Sequence, residues 1–230
     1  METSLQDQYD QMWLTAHAVL TAGTPNLDPH LLDKAGDRRR GATLLIRPSA
    51  AVAETVAQTL AQLEDLEADQ YYYAPGELHV TVLSLFTGTT EPEPYVAQLP
   101  LYRRAIDQVL TDTRPFTLDF DGLTASPAAV LVQGYPAGPE LERLRNSLRA
   151  AIQAVGLGDN LDRRYRITTA HMTAARFYRP LRDPNALATA LQSLRHRSFG
   201  SSLVAEIHLV ENDWYMSQDR VHLLHAYPLR

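Results

Sequence analysis

The sequence predicts an α+β fold: a bilobal, pseudo-twofold arrangement of two mostly antiparallel β-sheets flanked by helices, with a cleft between the central strands. Three observations predict it. Segments of helical periodicity alternate with short apolar runs and hairpin signals. A strand–helix–strand unit occurs twice, over residues 42–47, 50–66 and 78–86 and again over residues 128–134, 140–155 and 167–177. The last strand of each unit carries the same spacing, His79-Val80-Thr81-Val82 in one and His171-Met172-Thr173-Ala174 in the other.

The elements follow in order. Residues 4–22 carry apolar residues at helical spacing and end near Gly23, which predicts a helix. Residues 24–41 hold two Pro, two Gly and the run Arg38-Arg39-Arg40, and read as a long loop. Residues 42–47 are a short strand stopped by Pro48, and Ser49 is a fitting N-cap for a helix with Val52, Val56, Leu60 and Leu63 on one side. Residues 71–76 are an aromatic turn before the first His strand. A helical stretch over residues 91–111 has Pro in its first turn. Strands at 116–123 and 128–134, parted by Ser126-Pro127, suggest a hairpin. Leu141, Leu144, Leu148, Ile152 and Val155 form the stripe of a helix stopped by Gly156. Residues 158–166 are a loop, 184–194 a helix, and 203–210, 213–217 and 221–227 close the chain as strands. The expected division is an N-terminal helix and loop extension over residues 1–40 and a single bilobal domain over residues 41–230.

A net charge of −6 argues against a protein that coats nucleic acid with a broad basic face, while leaving room for an RNA end held by a few local arginines. The absence of cysteine excludes disulfides, thiolate nucleophiles and Cys-based metal sites. The first residues lack a basic-then-apolar leader, and no apolar run reaches the roughly 20 residues that span a bilayer. A cytoplasmic protein with no membrane attachment is the expectation. No Gly-x-x-x-x-Gly-Lys loop, Gly-x-Gly-x-x-Gly turn or Gly-x-Ser-x-Gly elbow is present, which disfavours the kinases, dinucleotide enzymes and serine hydrolases that use them.

The doubled motif carries the chemistry. Residues two apart in a strand share a face, so each copy presents an imidazole beside a hydroxyl. Two such pairs across an active-site cleft supply a general base, a general acid and two hydroxyl donors for a phosphate. One such His alone is more often a half-buried strand residue with a satisfied hydrogen bond, and Thr is common in strands; the two pairs together favour a site. Arg176 has odd parity relative to His171, so a regular strand aims it away from the cleft unless a bulge intervenes. Tyr71, Tyr72, Tyr73, Phe177 and Tyr178 are candidate base platforms, against the plainer reading of an aromatic edge packed on the core. Arg38–Arg40 and Arg163, Arg164 and Arg166 either line a groove for an RNA end or are solvated. Glu77 shares parity with His79 and is a candidate to orient it. His222 and His225 face opposite sides of a strand, which disfavours a metal site.

These residues resemble the two-histidine (2H) phosphoesterase superfamily, which includes the bacterial 2′–5′ RNA ligases and the 2′,3′-cyclic phosphodiesterases. Leu78 before the first His, the apolar run that follows it through Phe86 to Gly88, and Arg176 five residues after the second His extend the match, over roughly residues 41–228. The resemblance implies a metal-independent phosphodiesterase acting on a 2′,3′-cyclic phosphate or related phosphodiester of a nucleotide or RNA terminus. Ligase-like activity is a further possibility that it raises. His79, Thr81, His171 and Thr173 are the expected catalytic set, with His171 as base and His79 as acid for hydrolysis. Arg176, Tyr73 and Tyr178 are the expected substrate contacts. No cofactor, no metal and no obligate protein partner are expected, and the chain is expected to be a monomer. The alternative class is a non-catalytic nucleotide- or RNA-end-binding module using the same cleft. A generic α+β protein with coincidental His-x-Thr pairs is the third.

Overall fold

The computed structural model describes residues 4–161 and 166–230. Helix α1 spans Leu5–Thr21 and opens on a capping box: the Ser4 hydroxyl accepts from the Asp7 amide, and the Asp7 carboxylate accepts from the Ser4 amide. Its buried stripe is Tyr9, Trp13, Ala16 and Leu20. The segment expected as an extension is therefore packed into the same core as the rest of the chain. Gly23, at φ 69°, turns the chain out of α1. The long loop contains 3-10 turns at Pro29–Gly36 and runs into strand β1, Arg40–Ile46. Helix α2, Ala50–Leu66, starts from Ser49, whose hydroxyl accepts from the Val52 amide at 3.4 Å.

The aromatic turn is a short strand, β2, Tyr71–Tyr72, followed by a 3-10 turn at Pro75–Glu77. Strand β3 is Val80–Thr89. The helical stretch after it is split into α3, Glu93–Val96, and α4, Leu99–Leu110, with Pro100 in the first turn of α4. Strands β4, Phe116–Ser126, and β5, Ala129–Pro136, form the expected hairpin and lead to α5, Glu140–Ala154. Strand β6, Met172–Arg176, is shorter than the apolar run that suggested it, and residues 166–171 have no regular structure. Helix α6 is Pro184–Ser193.

Two readings of the C-terminal part are corrected. The run 203–210 is not one strand but the junction of β7, Ser198–Val204, and β8, Glu206–Asn212, which pair in opposite halves of the sheet. Residues 213–217 are a turn and not a strand. The Asp213 carboxylate collects the Tyr215 amide, the Ser217 amide and the Ser217 hydroxyl, an Asx-type cap that pulls the chain off the ladder. Strand β9 is His222–Pro228.

The strands run in the order β7-β4-β5-β6-β3-β1-β8-β9. That order is two four-stranded halves, a first of β3-β1-β8-β9 and a second of β7-β4-β5-β6, in which the units β1–α2–β3 and β5–α5–β6 bring β3 and β6 into contact. The two expected sheets meet edge to edge there through Val80 and Met172, and β2 adds two pairs to the same edge of β6. Helix α2 packs against β6 and β7, α5 against β3 and α4, and α1 against β4 and α6. Val80 and Met172 are 1% and 0% exposed on the covered face, whereas His79, Thr81, His171 and Thr173 stand half-buried on the other. Among the described residues no helix is long and apolar enough to cross a membrane.

Candidate functional site

The register through Val80 and Met172, carried one residue to each side, sets His79 across from Thr173 and Thr81 across from His171. Directly opposed residues lie about 5 Å apart at Cβ and diagonal ones about 7–8 Å. Each imidazole thus stands near the other motif's hydroxyl, and the two imidazoles face each other on the diagonal. The same irregularity follows both motifs. Leu45 opposes Thr81 while Leu44 opposes Leu83, leaving Val82 as an extra residue; Leu131 opposes Thr173 while Val130 opposes Ala175, leaving Ala174 as an extra residue. Each bulge flips the parity of the residues after it. The one in β6 turns Arg176 onto the face of His171 and Thr173, against the expectation for a regular strand. The position matching Arg176 in β3 is Ser84, so the site is symmetric in His and Thr and asymmetric in charge.

Both histidines sit one residue ahead of their strands, and neighbours hold them. The His79 Nδ1 lies 2.7 Å from the Glu77 carbonyl. A carbonyl only accepts, so Nδ1 carries the proton and a neutral ring offers Nε2 as acceptor. Glu77 orients His79 through its backbone. Its carboxylate, the group expected for that task, instead accepts from the Tyr71 hydroxyl and the Ala74 amide. His171 Nδ1 lies 2.7 Å from the Thr169 hydroxyl, which can donate or accept. The segment before His171 is pinned residue by residue. Arg149 donates to the Ile167 carbonyl, the Thr168 hydroxyl to the Gln8 side chain, Arg145 to the Thr169 carbonyl, and the Ala170 amide to the Tyr9 hydroxyl.

Burial pulls His79 down to about 4, with the charges of Arg47, His171 and Arg176 adding to it and the Glu77 carbonyl opposing it. His171 is likewise pulled down to about 4 by burial and by Arg145 and Arg176. Both rings are therefore neutral at pH 7. Arg176 remains charged, and its Nε donates to the Tyr73 hydroxyl at 2.8 Å.

Two cavities meet here. One of 180 Å³ joins His79, Thr81, His171, Thr173, Arg176 and Tyr73 to Asn212 and Trp214. One of 1040 Å³ shares His171, Thr173, Arg176 and Trp214 and extends between α1 and α5, past Arg145, Arg149 and Arg166 as well as Asp7 and Glu142. Six of the seven expected site residues come together. Tyr178 does not: it lines neither cavity, and its amide donates to Gln70 while Arg179 lies 5.4 Å from its ring centroid. Tyr71 and Tyr72 are hydrogen-bonded at the edge, Phe177 is buried, and none of the three lines either cavity. Arg39 is paired with Asp37, and Arg166 donates to Asn146; Arg163 and Arg164 lie outside the described residues. His225 packs on Tyr227 and against Arg103, and among the described residues no three His, Cys, Asp or Glu cluster as metal ligands. The sequence reading missed Tyr9, Arg145 and Trp214. A tryptophan among turn-forming residues, in Asn212-Asp213-Trp214, was the available signal for the last.

A family model described as the 2'-5' RNA ligase superfamily matches residues 48–214, a span that contains both motifs. No curated protein sequence matches the chain. Among solved structures, TT0787 of Thermus thermophilus superposes with a TM-score of 0.63 at 18% identity, over 83% of this chain and 98% of that one. E. coli LigT in complex with 3'-AMP gives 0.55 at 15% identity, over 83% and 98%. ATU0111 from Agrobacterium tumefaciens strain C58 gives 0.55 at 17% identity, over 92% and 96%. At these identities the likeness is one of fold.

Proposed function

The chain belongs to the 2'-5' RNA ligase superfamily, and from that premise we propose that it is a metal-independent phosphodiesterase opening the 2′,3′-cyclic phosphate of a nucleotide or RNA end. The observation that carries this reading is the crossed pair of His-x-Thr motifs, each imidazole set across from the other motif's hydroxyl. The solved complex of LigT with 3'-AMP is in keeping with a nucleotide-sized ligand.

In this reading His171 is the base. With its Nδ1–H donated to Thr169, its Nε2 takes a proton from water as the water oxygen bonds to phosphorus. His79 is the acid. The Glu77 carbonyl favours its imidazolium, which gives a proton to the ribose oxygen as the P–O bond to that oxygen breaks. Solvent then returns both rings to their starting states. Thr81, Thr173 and Arg176 donate to the non-bridging oxygens, where negative charge builds in the transition state. With both rings neutral at pH 7, the anionic phosphate must raise the affinity for the proton that His79 delivers. The larger cavity, with its arginines, takes the chain that continues from the reacting nucleotide. Neutrality of both rings is also the observation that favours the alternative, a non-catalytic module that binds a nucleotide or RNA end in the same cleft.

The test is an EDTA-treated assay on the four nucleoside 2′,3′-cyclic monophosphates and a short RNA ending in a cyclic phosphate, with 2′- and 3′-monoester products resolved. Turnover is expected to persist in EDTA and to fall by about 10²–10⁴ in each of His79→Ala and His171→Ala. Activity surviving the double substitution ends the proposal. Binding without turnover selects the alternative.

A further inference from the structure

Asn212 closes β8 and is 7% exposed. Its Nδ2 donates to the Asp213 carbonyl at 2.7 Å. Because a carbonyl only accepts, that bond fixes the orientation of the amide. Oδ1 is then buried with no hydrogen-bond partner among the described residues. Buried acceptors in native proteins are nearly always paired, so an unpaired one calls for a partner from outside the chain. Asn212 lines the 180 Å³ cavity that also holds both motifs and Arg176.

Trp214 lines that cavity and the larger one. The Arg39 guanidinium lies 4.6 Å from its ring centroid. A Cβ on Gly88 would come within 3.1 Å of the indole Cε3, so glycine there leaves room for the ring. The turn that delivers Trp214 is held by the three bonds to Asp213 and contains Met216 at φ 57°, a conformation that side-chain-bearing residues seldom adopt. Met216 lines the cavity too. Strain of this kind persists where the surrounding structure imposes it, and it gathers at ligand sites.

We propose that Trp214 and Asn212 form a nucleobase subsite, the indole stacking on the base and Asn212 Oδ1 accepting from a base N–H, while the phosphate lies between His79 and His171. The proposal rests on the nucleotide reading of the cleft and adds to it which end of the ligand lies toward the first half. Every base has a π face and an N–H edge, so this pair recognises a base as a class and not one letter. A cavity of 180 Å³ is below the ~300–1,000 Å³ of whole-ligand pockets, so it seats a ring and leaves the remainder to the adjoining 1040 Å³ cavity.

The chain has two tryptophans, Trp13 and Trp214, so in a Trp13→Phe background the fluorescence reports on Trp214 alone. That protein is titrated with 3′-AMP and with ribose 3-phosphate, and calorimetry gives both dissociation constants. Quenching by 3′-AMP and not by ribose 3-phosphate is expected. Asn212→Leu is expected to weaken 3′-AMP by about tenfold or more, and to leave ribose 3-phosphate unchanged. Should Asn212→Leu fail to fold in a thermal melt, Trp214→Leu carries the same expectation, read by calorimetry. Binding of 3′-AMP without quenching, or equal weakening of both ligands, overturns the base subsite and leaves the phosphodiesterase reading standing. Absence of any 3′-AMP binding overturns both.

Discussion

The two imidazoles differ in their partners more than in their acidity. His79 is locked to a carbonyl and His171 to a hydroxyl, while both are held near 4 against an ordinary value of 6.5. In the unfolded chain both revert to about 6.5. Between these values the unfolded state binds more protons than the native one. The contribution of the neutral rings to stability is therefore fully present above pH ~6.5 and is lost as pH falls toward 4. On lowering the pH from 7 to 4.5, with no nucleotide added, the melting temperature of the protein is expected to fall further than that of a His79→Gln/His171→Gln double variant. Differential scanning calorimetry at matched ionic strength reads the difference. Identical falls would assign the acid lability to other groups.

The bulges after Thr81 and Thr173 and the irregular run 166–171 decide where the functional groups point, and α1 holds that run in place. Tyr9 is fully buried; its hydroxyl donates to the Gly134 carbonyl and accepts from the Gly134 and Ala170 amides. Gly134 lets the segment come this close, since a Cβ there would meet the Ala170 carbonyl at 2.1 Å. Tyr9→Phe leaves those groups buried and unpaired, a loss of about 1–3 kcal/mol. It also loosens the residue next to His171, so kcat is expected to fall about tenfold with KM little changed. Urea unfolding and steady-state kinetics on the reacting substrate check the two halves of this prediction. A raised KM with unchanged kcat would place Tyr9 in ligand binding instead. The helices were legible because a buried stripe imposes its period on the sequence: α2 spans the residues that Ser49 and the Val52–Leu63 spacing predict. The four motif residues were legible because the repeat announces them. A bulge has no such signature, since it depends on the partner strand's register, and so the orientation of Arg176 could not be read. The turn at 213–217 was misread because Tyr215 and Met216 look like strand residues, while Asp213, whose carboxylate sets the turn, acts through three bonds invisible in the sequence.

At the scale of the molecule, a net charge of −6 coexists with a cleft wall carrying Arg145, Arg149, Arg166 and Arg176, so the overall balance conceals where positive charge is concentrated. Arg145 has a second role. The two halves of the sheet touch along one edge of β6, and its buried guanidinium, on α5 of the second half, donates to the Thr81 and Val82 carbonyls of the first and to the Thr169 carbonyl of its own. It ties the bulge after Thr81 to the segment that carries His171. Arg145→Leu leaves those carbonyls without this donor, at a cost of about 3 kcal/mol. The lost bonds lie at the junction between halves that share one hydrophobic core, with α2 and α5 each packed across the seam. The tryptophans report on separate halves: Trp13 lies on α1, which packs on β4, and Trp214 follows β8. In single-tryptophan versions of the wild-type chain the two urea transitions are expected to coincide. With Arg145→Leu added both are expected to move to lower urea together, because the shared core transmits unfolding from one half to the other. Transitions that separate would show that Arg145, and not the shared core, couples the halves.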